Sequence, residues 1–496
     1  MKIIVGYPPT ISEKGTPLLS QNRQFQYFNN PTFLFPVTLA TGATMLRDSG
    51  YKTLWNDAIA GNLSIEEFCK FLSKENPDLF IFETKAPVVK KHWQVINYLK
   101  EKFPKMKIAI CGDHVTALPE ETMINSKVDF VICGGYFDFA MKELVEALDK
   151  GKKLPLGIWY REDGKIIKNG RYEFKNKLDD APIVDRKFTR NDLYQKEYNL
   201  KGRPLAYIMS GRDCWWGKCT FCVWDHTLYP RGTFRVRTPE NVMKEVKYLV
   251  DEIGVKEIFD DCGTITVGPW LKKFCDLMIE SGYNKKIMYS CNMRFGAVSA
   301  DEYKMMKRAG FRLLKYGLES GCQKTIDKLD KGTKITEVAK SCKEAKEAGL
   351  TVHLTMMVGY PWETREDALQ TLKLAKYLMI NGYADVLQST VVIPYPGTPL
   401  YREAVEKNWF RFDSTDYERF DMREPVFKTP DMTPAEVLGI CDKIYTKIFL
   451  DPRYILRHIR KIKTLEDVAY TFKGLKAVLG HIKDFSPVHN QLNHIR

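Results

Sequence analysis

At 496 residues the chain is too long for one hydrophobic core, and two or three domains are expected. Its 44% hydrophobic and 28% charged residues describe a soluble globular protein, and without a run of eighteen apolar residues no membrane span is predicted. The formal charge of +14 suits nucleic acid, an anionic membrane surface or a Lys-rich solvated exterior; no RNA-binding module signature is present, so nucleic acid is not expected as a partner.

The chain opens straight into a strand, Lys2 to Gly6, with no signal peptide ahead of it, which points to a cytoplasmic protein. Further strands are expected at Lys52 to Trp55, Leu79 to Glu83, Lys107 to Cys111 and Phe130 to Cys133. Helical patterns fill the intervals, at Val37 to Asp48, Ile65 to Glu75, Lys90 to Phe103, Pro119 to Asn125 and Phe139 to Leu148. This alternation predicts an α/β fold that begins with a doubly wound, flavodoxin- or Rossmann-like parallel sheet over residues 1–155. Such sheets bind ligands beyond the carboxyl ends of their strands. The segment Gln21 to Phe28, rich in aromatics and amides, is too long for an ordinary strand–helix turn; it either closes a site or is a surface excursion.

The carboxyl ends read Tyr7-Pro8-Pro9, Asn56-Asp57, Glu83-Thr84-Lys85-Ala86-Pro87, Gly112-Asp113-His114-Val115-Thr116-Ala117-Leu118-Pro119-Glu120 and Gly134-Gly135-Tyr136. Glycines let a ligand approach the backbone, while Thr84, His114 and Thr116 offer hydrogen bonds. In these loops about the first 150 residues resemble the cobalamin-binding domain that precedes many radical S-adenosylmethionine (SAM) enzymes. The resemblance implies a cobalamin site at Pro9, Thr84, His114, Thr116, Gly134, Gly135 and Tyr136. The DxHxxG motif through which other corrinoid proteins ligate cobalt is absent, so no histidine from that motif is expected below the metal. A vestigial domain without a cofactor is the other reading.

Trp159 to Ile167 reads as a hairpin around Asp163-Gly164, followed by the polar, Pro-containing stretch Leu178 to Asp185; together they are expected as a hairpin and linker over 156–200. Then comes an apolar strand, Leu205 to Met209, and on the loop leaving it Cys214, Cys219 and Cys222. Three thiolates on one loop can hold three irons of a four-iron cluster and leave the fourth iron open, whereas most electron-transfer clusters are closed by four cysteines. With His226 four positions on, the same residues also fit a structural Cys3His zinc site. A small zinc module should end within a few dozen residues, but strand–helix repeats continue here for nearly two hundred. The other nine cysteines are scattered through apolar runs and read as small buried residues of a reduced protein.

Those repeats place strands at Glu257 to Phe259, Ile287 to Ser290, Leu313 to Tyr316, Val352 to Met357 and Val386 to Ile393, with helices such as Pro239 to Glu252 and Thr336 to Ala348 ahead of them. With Leu205 to Met209 this gives six strands, a partial (β/α)6 barrel over 201–410 whose chemistry should gather at its carboxyl-end loops. Gly317-Leu318-Glu319-Ser320-Gly321, Lys331-Gly332-Thr333, Met357 to Thr364 and Pro394 to Pro399 fall on those loops. In order and position these motifs resemble the radical SAM superfamily, specifically its cobalamin-dependent branch, over almost the whole chain. One departure is the cysteine spacing, CxxxxCxxC in place of the usual CxxxCxxC; an extra loop residue is tolerable because only the sulfurs must converge.

The resemblance implies that Cys214, Cys219 and Cys222 ligate a [4Fe-4S] cluster whose open iron chelates SAM. It implies SAM contacts from Phe221 beside the adenine, Asp260 and Asp261 after the second strand, Arg294 on the methionine carboxylate, Glu319 after the fourth strand, and the backbone at Gly359 and Pro396. Asp261 as a helix cap and Arg294 as a structural charge are the plainer alternatives.

Beyond Trp409 the pattern becomes helical, with Thr433 as a cap and Pro434 in the first turn of one helix. A basic stretch at 453–463 puts Ile455, Ile459 and Ile462 on one face, which suits either an anionic membrane or packing on the domain. The family implies methyl transfer to an unactivated carbon through a 5′-deoxyadenosyl radical and methylcobalamin, with the electron from flavodoxin or ferredoxin. Coupling, cyclisation or oxidation without methyl transfer is the alternative. A methylthiotransferase, which would need a second cluster on Cys69, Cys111 and Cys133, is less favoured because Cys69 lies in a helical pattern. Peptide, lipid, polyketide-like and tetrapyrrole substrates all stay open.

Overall fold

The computed structural model describes residues 1–462, apart from 11, 20–24, 29–30 and 197–199, together with 468, 471 and 472. The N-terminal sheet is built from β1 (Lys2–Tyr7), β2 (Lys52–Asp57), β3 (Leu79–Thr84), β4 (Lys107–Gly112) and β5 (Phe130–Ile132), extended by β6 (Ile158–Glu162) and β7 (Lys165–Ile167). Its order is β2-β1-β3-β4-β5-β6-β7, parallel through β5, which is the doubly wound arrangement with its switch point between β1 and β3. Both faces are covered, so the strands are apolar without alternation: Ile3, Ile4 and Val5 are all buried, as are Phe80, Ile81 and Phe82. On one face α1 (Val37–Asp48) crosses α2 (Phe137–Asp149) closely, because Gly42 leaves room for the Met141 side chain; a Cβ there would stand 2.4 Å from its sulfur.

The hairpin departs from the expected boundary. It pairs antiparallel onto β5, Val131 opposite Trp159, and so belongs to the N-terminal sheet and not to a linker. Its turn is the one the sequence indicated: Asp163 and Gly164 both have positive φ, 48° and 74°, the mirror-image turn that matches strand twist.

The second sheet contains β8 (Leu205–Ile208), β9 (Glu257–Asp260), β10 (Met288–Met293), β11 (Phe311–Glu319), β12 (Thr351–Val358) and β13 (Val386–Val391), all parallel and in sequence order. This is the expected six-stranded partial barrel. Two C-terminal helices, α4 (Pro434–Phe449) and α5 (Pro452–Lys461), pack behind it with α3 (Arg365–Ile380). Thr433 caps α4 and exchanges bonds with Glu436, as its sequence indicated. The Tyr445 hydroxyl of α4 donates to the Ser389 carbonyl and accepts from its amide, covering the free edge of β13. No helix among the described residues is long and apolar enough to cross a membrane.

Candidate active site

The cysteine loop is pinned on two sides by the residues that lengthen it. Trp215 Nε1 donates to the Ile265 carbonyl at 3.1 Å, and Trp216 Nε1 to the Asp330 carbonyl at 2.7 Å. The Trp216 ring lies over Gly332, where a Cβ would stand 2.2 Å from it, and the Arg294 guanidinium is 4.1 Å from the ring centroid. Gly263 lets the loop cross the end of β9: a Cβ there would meet the Asp213 carbonyl at 2.4 Å and Cys214 Cβ at 2.7 Å. The extra residue between the first two cysteines is thus part of a two-tryptophan anchorage.

Cys219 and Cys222 are buried and Cys214 is partly exposed; none is in a disulfide. Burial pushes the Cys219 thiol up to about 12 despite the nearby Lys331 and Arg294 cations, so a bound metal would be what draws the proton off. Among the described residues no three His, Cys, Asp or Glu groups are placed to share a single metal ion. A lone zinc needs every ligand within about 2.3 Å of one point, whereas a cluster spreads its ligands over separate irons. Nor does His226 line the cavity that the three cysteines share. Three cysteines on one open cavity fit a four-iron cluster.

That cavity holds about 1020 Å³ of empty space, its open mouth included. Phe221, Asp261, Arg294 and Glu319 line it with the three cysteines, bringing together the larger part of the expected cluster and SAM site. Glu319 ends β11 with a positive φ of 62° at a register shift against β12, a conformation held by its surroundings. Its Oε1 accepts from Lys331 Nζ at 2.9 Å, and Gly317 supplies the space, since a Cβ there would stand 2.3 Å from that oxygen. Arg294 donates to the Lys331 carbonyl at 2.6 Å, and Asn292 Nδ2 donates to Asp261 Oδ1 at 3.2 Å.

Three expected SAM residues are not on the wall. Asp260 is buried beneath it, accepting from the Ser210 amide and the Tyr289 hydroxyl, each at 2.9 Å, and so ties β8, β9 and β10 together. Gly359 donates to Glu363 Oε2 at 2.7 Å and faces Val437 of α4. The Pro396 carbonyl accepts from the Thr227 hydroxyl. Conversely, Asn292, Lys331 and Asp225 line the cavity although sequence reasoning passed them by. Signals existed: Asn292 is two residues before Arg294 on one strand, and Lys331 opens a motif already noted. Asp225 follows Cys222 by three.

The N-terminal sheet meets the barrel at the segment that follows the three cysteines. The Gly135 amide donates to the Leu228 carbonyl at 2.8 Å, and the Tyr229 ring fills the space where a Gly135 Cβ would be. Ala117 and Thr227 both press on Gly397. Arg212, just before the cysteines, donates to Thr38 at 2.6 Å and to Asp138 at 2.7 Å, a buried ion pair joining the two units. The Met422 amide donates to the Phe25 carbonyl at 3.3 Å, and Met422 lines the cavity, so the described part of the 21–28 segment reaches the site; residues 21–24 lie outside the described residues.

The polar side chains expected to hold cobalamin are mostly committed elsewhere. Thr84 pairs with His92 Nδ1 at 2.7 Å, and Thr116 bonds the Gly112 carbonyl and the Gly134 amide. His114 uses Nε2 on Glu121 and lies edge-on to Tyr417. Pro9 is buried, and Tyr136 stacks on Phe174 at 4.0 Å. What remains on offer is His114 Nδ1, the Tyr136 hydroxyl and Asp225 Oδ1, all buried without a protein partner, and the backbone of Gly134, with nothing nearer than 3.8 Å to the position of a Cβ. Orphaned polar atoms at a junction of this kind fit a large polar ligand. The methylthiotransferase cluster finds no support: Cys111 packs in a different hydrophobic cluster from Cys69 and Cys133.

Residues 208–375 match the radical SAM superfamily. An uncharacterized methyltransferase of Pyrococcus horikoshii is 27% identical over 431 residues, 86% of this chain and 90% of that one. The anaerobic magnesium-protoporphyrin IX monomethyl ester cyclase of Rubrivivax gelatinosus is 23% identical over 90% of this chain and 78% of its own. Among solved structures, the cobalamin-dependent SAM radical enzyme OxsB superposes with a TM-score of 0.69 at 13% identity, covering 92% of this chain and 70% of that one. The radical SAM methyltransferase TsrM of Kitasatospora setae gives 0.64 at 14% identity, over 82% and 76%. With the cysteine loop, the shared cavity and these likenesses together, residues 208–375 form a radical SAM domain, in a chain whose fold is that of OxsB and TsrM.

Proposed function

We propose that this protein is a cobalamin-dependent radical SAM methyltransferase acting on an unactivated carbon. The observation that carries the reading is the meeting of the sheet's carboxyl-end loops with the segment behind the cluster cysteines, Gly135 against Leu228 and Tyr229, and Ala117 against Thr227 and Gly397. A methyl donor and a carbon radical react only at short range, so their two binding surfaces must share one mouth.

Cys214, Cys219 and Cys222 would hold the cluster, and Asp261, Asn292, Arg294, Glu319 and Lys331 would hold SAM. Arg294 is aimed by the Trp216 face and the Lys331 carbonyl, which leaves its planar fork suited to a carboxylate. Lys331 holds the Glu319 carboxylate in place as an acceptor for ammonium or hydroxyl groups. On the other side Gly134, His114 and Tyr136 would meet the corrin, with no histidine from a DxHxxG motif beneath the cobalt. When bound, these groups supply one-electron reduction of a sulfonium and a transferable methyl group; the chain supplies placement and exclusion of water. An external carrier of the flavodoxin or ferredoxin kind would deliver the electron.

The length of the match to the Rubrivivax gelatinosus cyclase favours a second reading, radical ring closure or oxidation without methyl transfer. SAM carrying a deuterated methyl group separates the two. Methyl transfer predicts label on the protein-bound cobalamin in the reduced, reconstituted enzyme; unlabelled cobalamin would leave only the second reading.

A further inference from the structure

The C-terminal helix α5 is amphipathic in the wrong sense for packing on its own domain. Its inward face is polar: Arg457 donates to the Met379 carbonyl at 2.6 Å and also to that of Ile380, closing the carboxyl end of α3. Tyr454, beside Arg457 on that face, is buried and donates to the Asp385 carbonyl. The apolar residues point out. Ile455 is 41% exposed, Leu456 55% and Ile459 57%, and Leu450 at the end of α4 adds 65%. Single exposed apolar side chains are ordinary, but three on one helix face, with a fourth at the turn before it, mark an interaction surface.

Charge decides what covers the stripe. Lys443 and Lys447 are exposed on the turns of α4 that lead to Leu450, and Arg460 is exposed on the flank of the α5 stripe. Arg453, on the same flank, shares Asp451. A second copy seated on this face would bring its own basic row against this one, which like-charge repulsion opposes. The sequence after residue 462 carries more Lys and Arg than Asp and Glu, so its net charge does not complement this face. An apolar stripe bordered by cations matches the boundary of an anionic lipid leaflet, with acyl chains below and phosphate groups beside.

We propose that this face docks the protein on anionic lipid bilayers through Leu450, Ile455, Leu456 and Ile459. The test is flotation of the full-length protein with vesicles of phosphatidylcholine alone or with about one third phosphatidylglycerol. The protein should partition at least about tenfold more strongly to the anionic vesicles, and added salt should weaken the binding. Replacing Ile455, Leu456 and Ile459 together by Ser should abolish flotation without altering cluster loading, because these side chains touch nothing in the site. Lys443→Glu with Lys447→Glu and Arg460→Glu should remove the preference for anionic lipid. Absence of flotation, equal flotation of the wild type and the triple Ser variant, or a dimer that this variant converts to monomer in sedimentation would each overturn the proposal.

Discussion

The two sheets of this protein meet behind the cysteine loop, and they treat the polar residues at their strand ends in opposite ways. In the barrel, Asp261, Arg294, Glu319 and Lys331 stand on the wall of an open cavity, held by bonds that leave part of each group towards the space. In the N-terminal sheet the strand-end groups bond mainly to one another. Tyr7 donates to Glu83 at 2.7 Å, Tyr194 to Asp57 at 2.5 Å, Thr84 pairs with His92, and Lys85 lies 3.4 Å from Asp113. The barrel offers charged side chains of both signs, suited to a small ligand with several charged groups. The other presents backbone, aromatic faces and a few orphaned atoms, a surface for something large and nearly neutral.

The largest expected effect is on the barrel side. Cys219→Ala removes one of three cluster ligands, and iron content and SAM cleavage should both fall to background; retention of the cluster would break the assignment of the loop. Next is the pair that holds the two sheets face to face. Arg212→Ala leaves Asp138 buried and uncompensated, which costs about 3–5 kcal/mol and should lower the Tm by several degrees or more. An unchanged Tm would mean that the junction is not held as described.

Gly263→Ala should cost about 1–3 kcal/mol by overpacking against Asp213 and should reduce cluster loading; native loading would show that the loop can move aside. On the cavity wall, Lys331→Met frees Glu319, and SAM affinity read by equilibrium binding should fall about tenfold, the loss of roughly one charge-assisted bond. The same substitution should leave cobalamin binding unchanged, which sharpens the contrast between the two surfaces.

The smallest effect is a pH signature of the self-satisfied sheet. Burial raises the Glu83 carboxyl from 4.5 to about 7, with Lys85 opposing. A carboxyl raised in the folded state binds more protons than its unfolded counterpart between these values. Its contribution is therefore complete below pH 4.5 and is lost as pH rises through 7, by at most about 3 kcal/mol. Glu83→Gln should flatten that decline in chemical denaturation; an identical slope in the variant would place the titration elsewhere.

The same contrast explains what could be read from the residues alone. The barrel cavity was legible because charged residues at strand ends lie next to a cysteine motif; Asp261, Arg294 and Glu319 all line it. Asp260 was misread because adjacent residues on a strand face opposite ways, and only one of the two aspartates can reach the cavity. The cobalamin face was harder: Thr84 and Thr116 look like ligands in sequence, and only their partners His92 and Gly134 show that they are spent inside the domain. The hairpin at 158–167 was found with its turn, but strand pairing is a long-range property, so its place in the first sheet was not. For α5 the period of the apolar residues was plain, while the side that faces outward depended on Arg457 finding the end of α3.

The central claim is that the two surfaces serve one reaction space. Its most direct measurement is electron paramagnetic resonance of the reconstituted protein carrying cob(II)alamin, with the cluster oxidised and then reduced. The account predicts stoichiometric cobalamin and faster relaxation of the cobalt signal when the cluster is reduced. A protein that loads its cluster but binds no cobalamin, or a cobalt signal indifferent to the cluster, would contradict it.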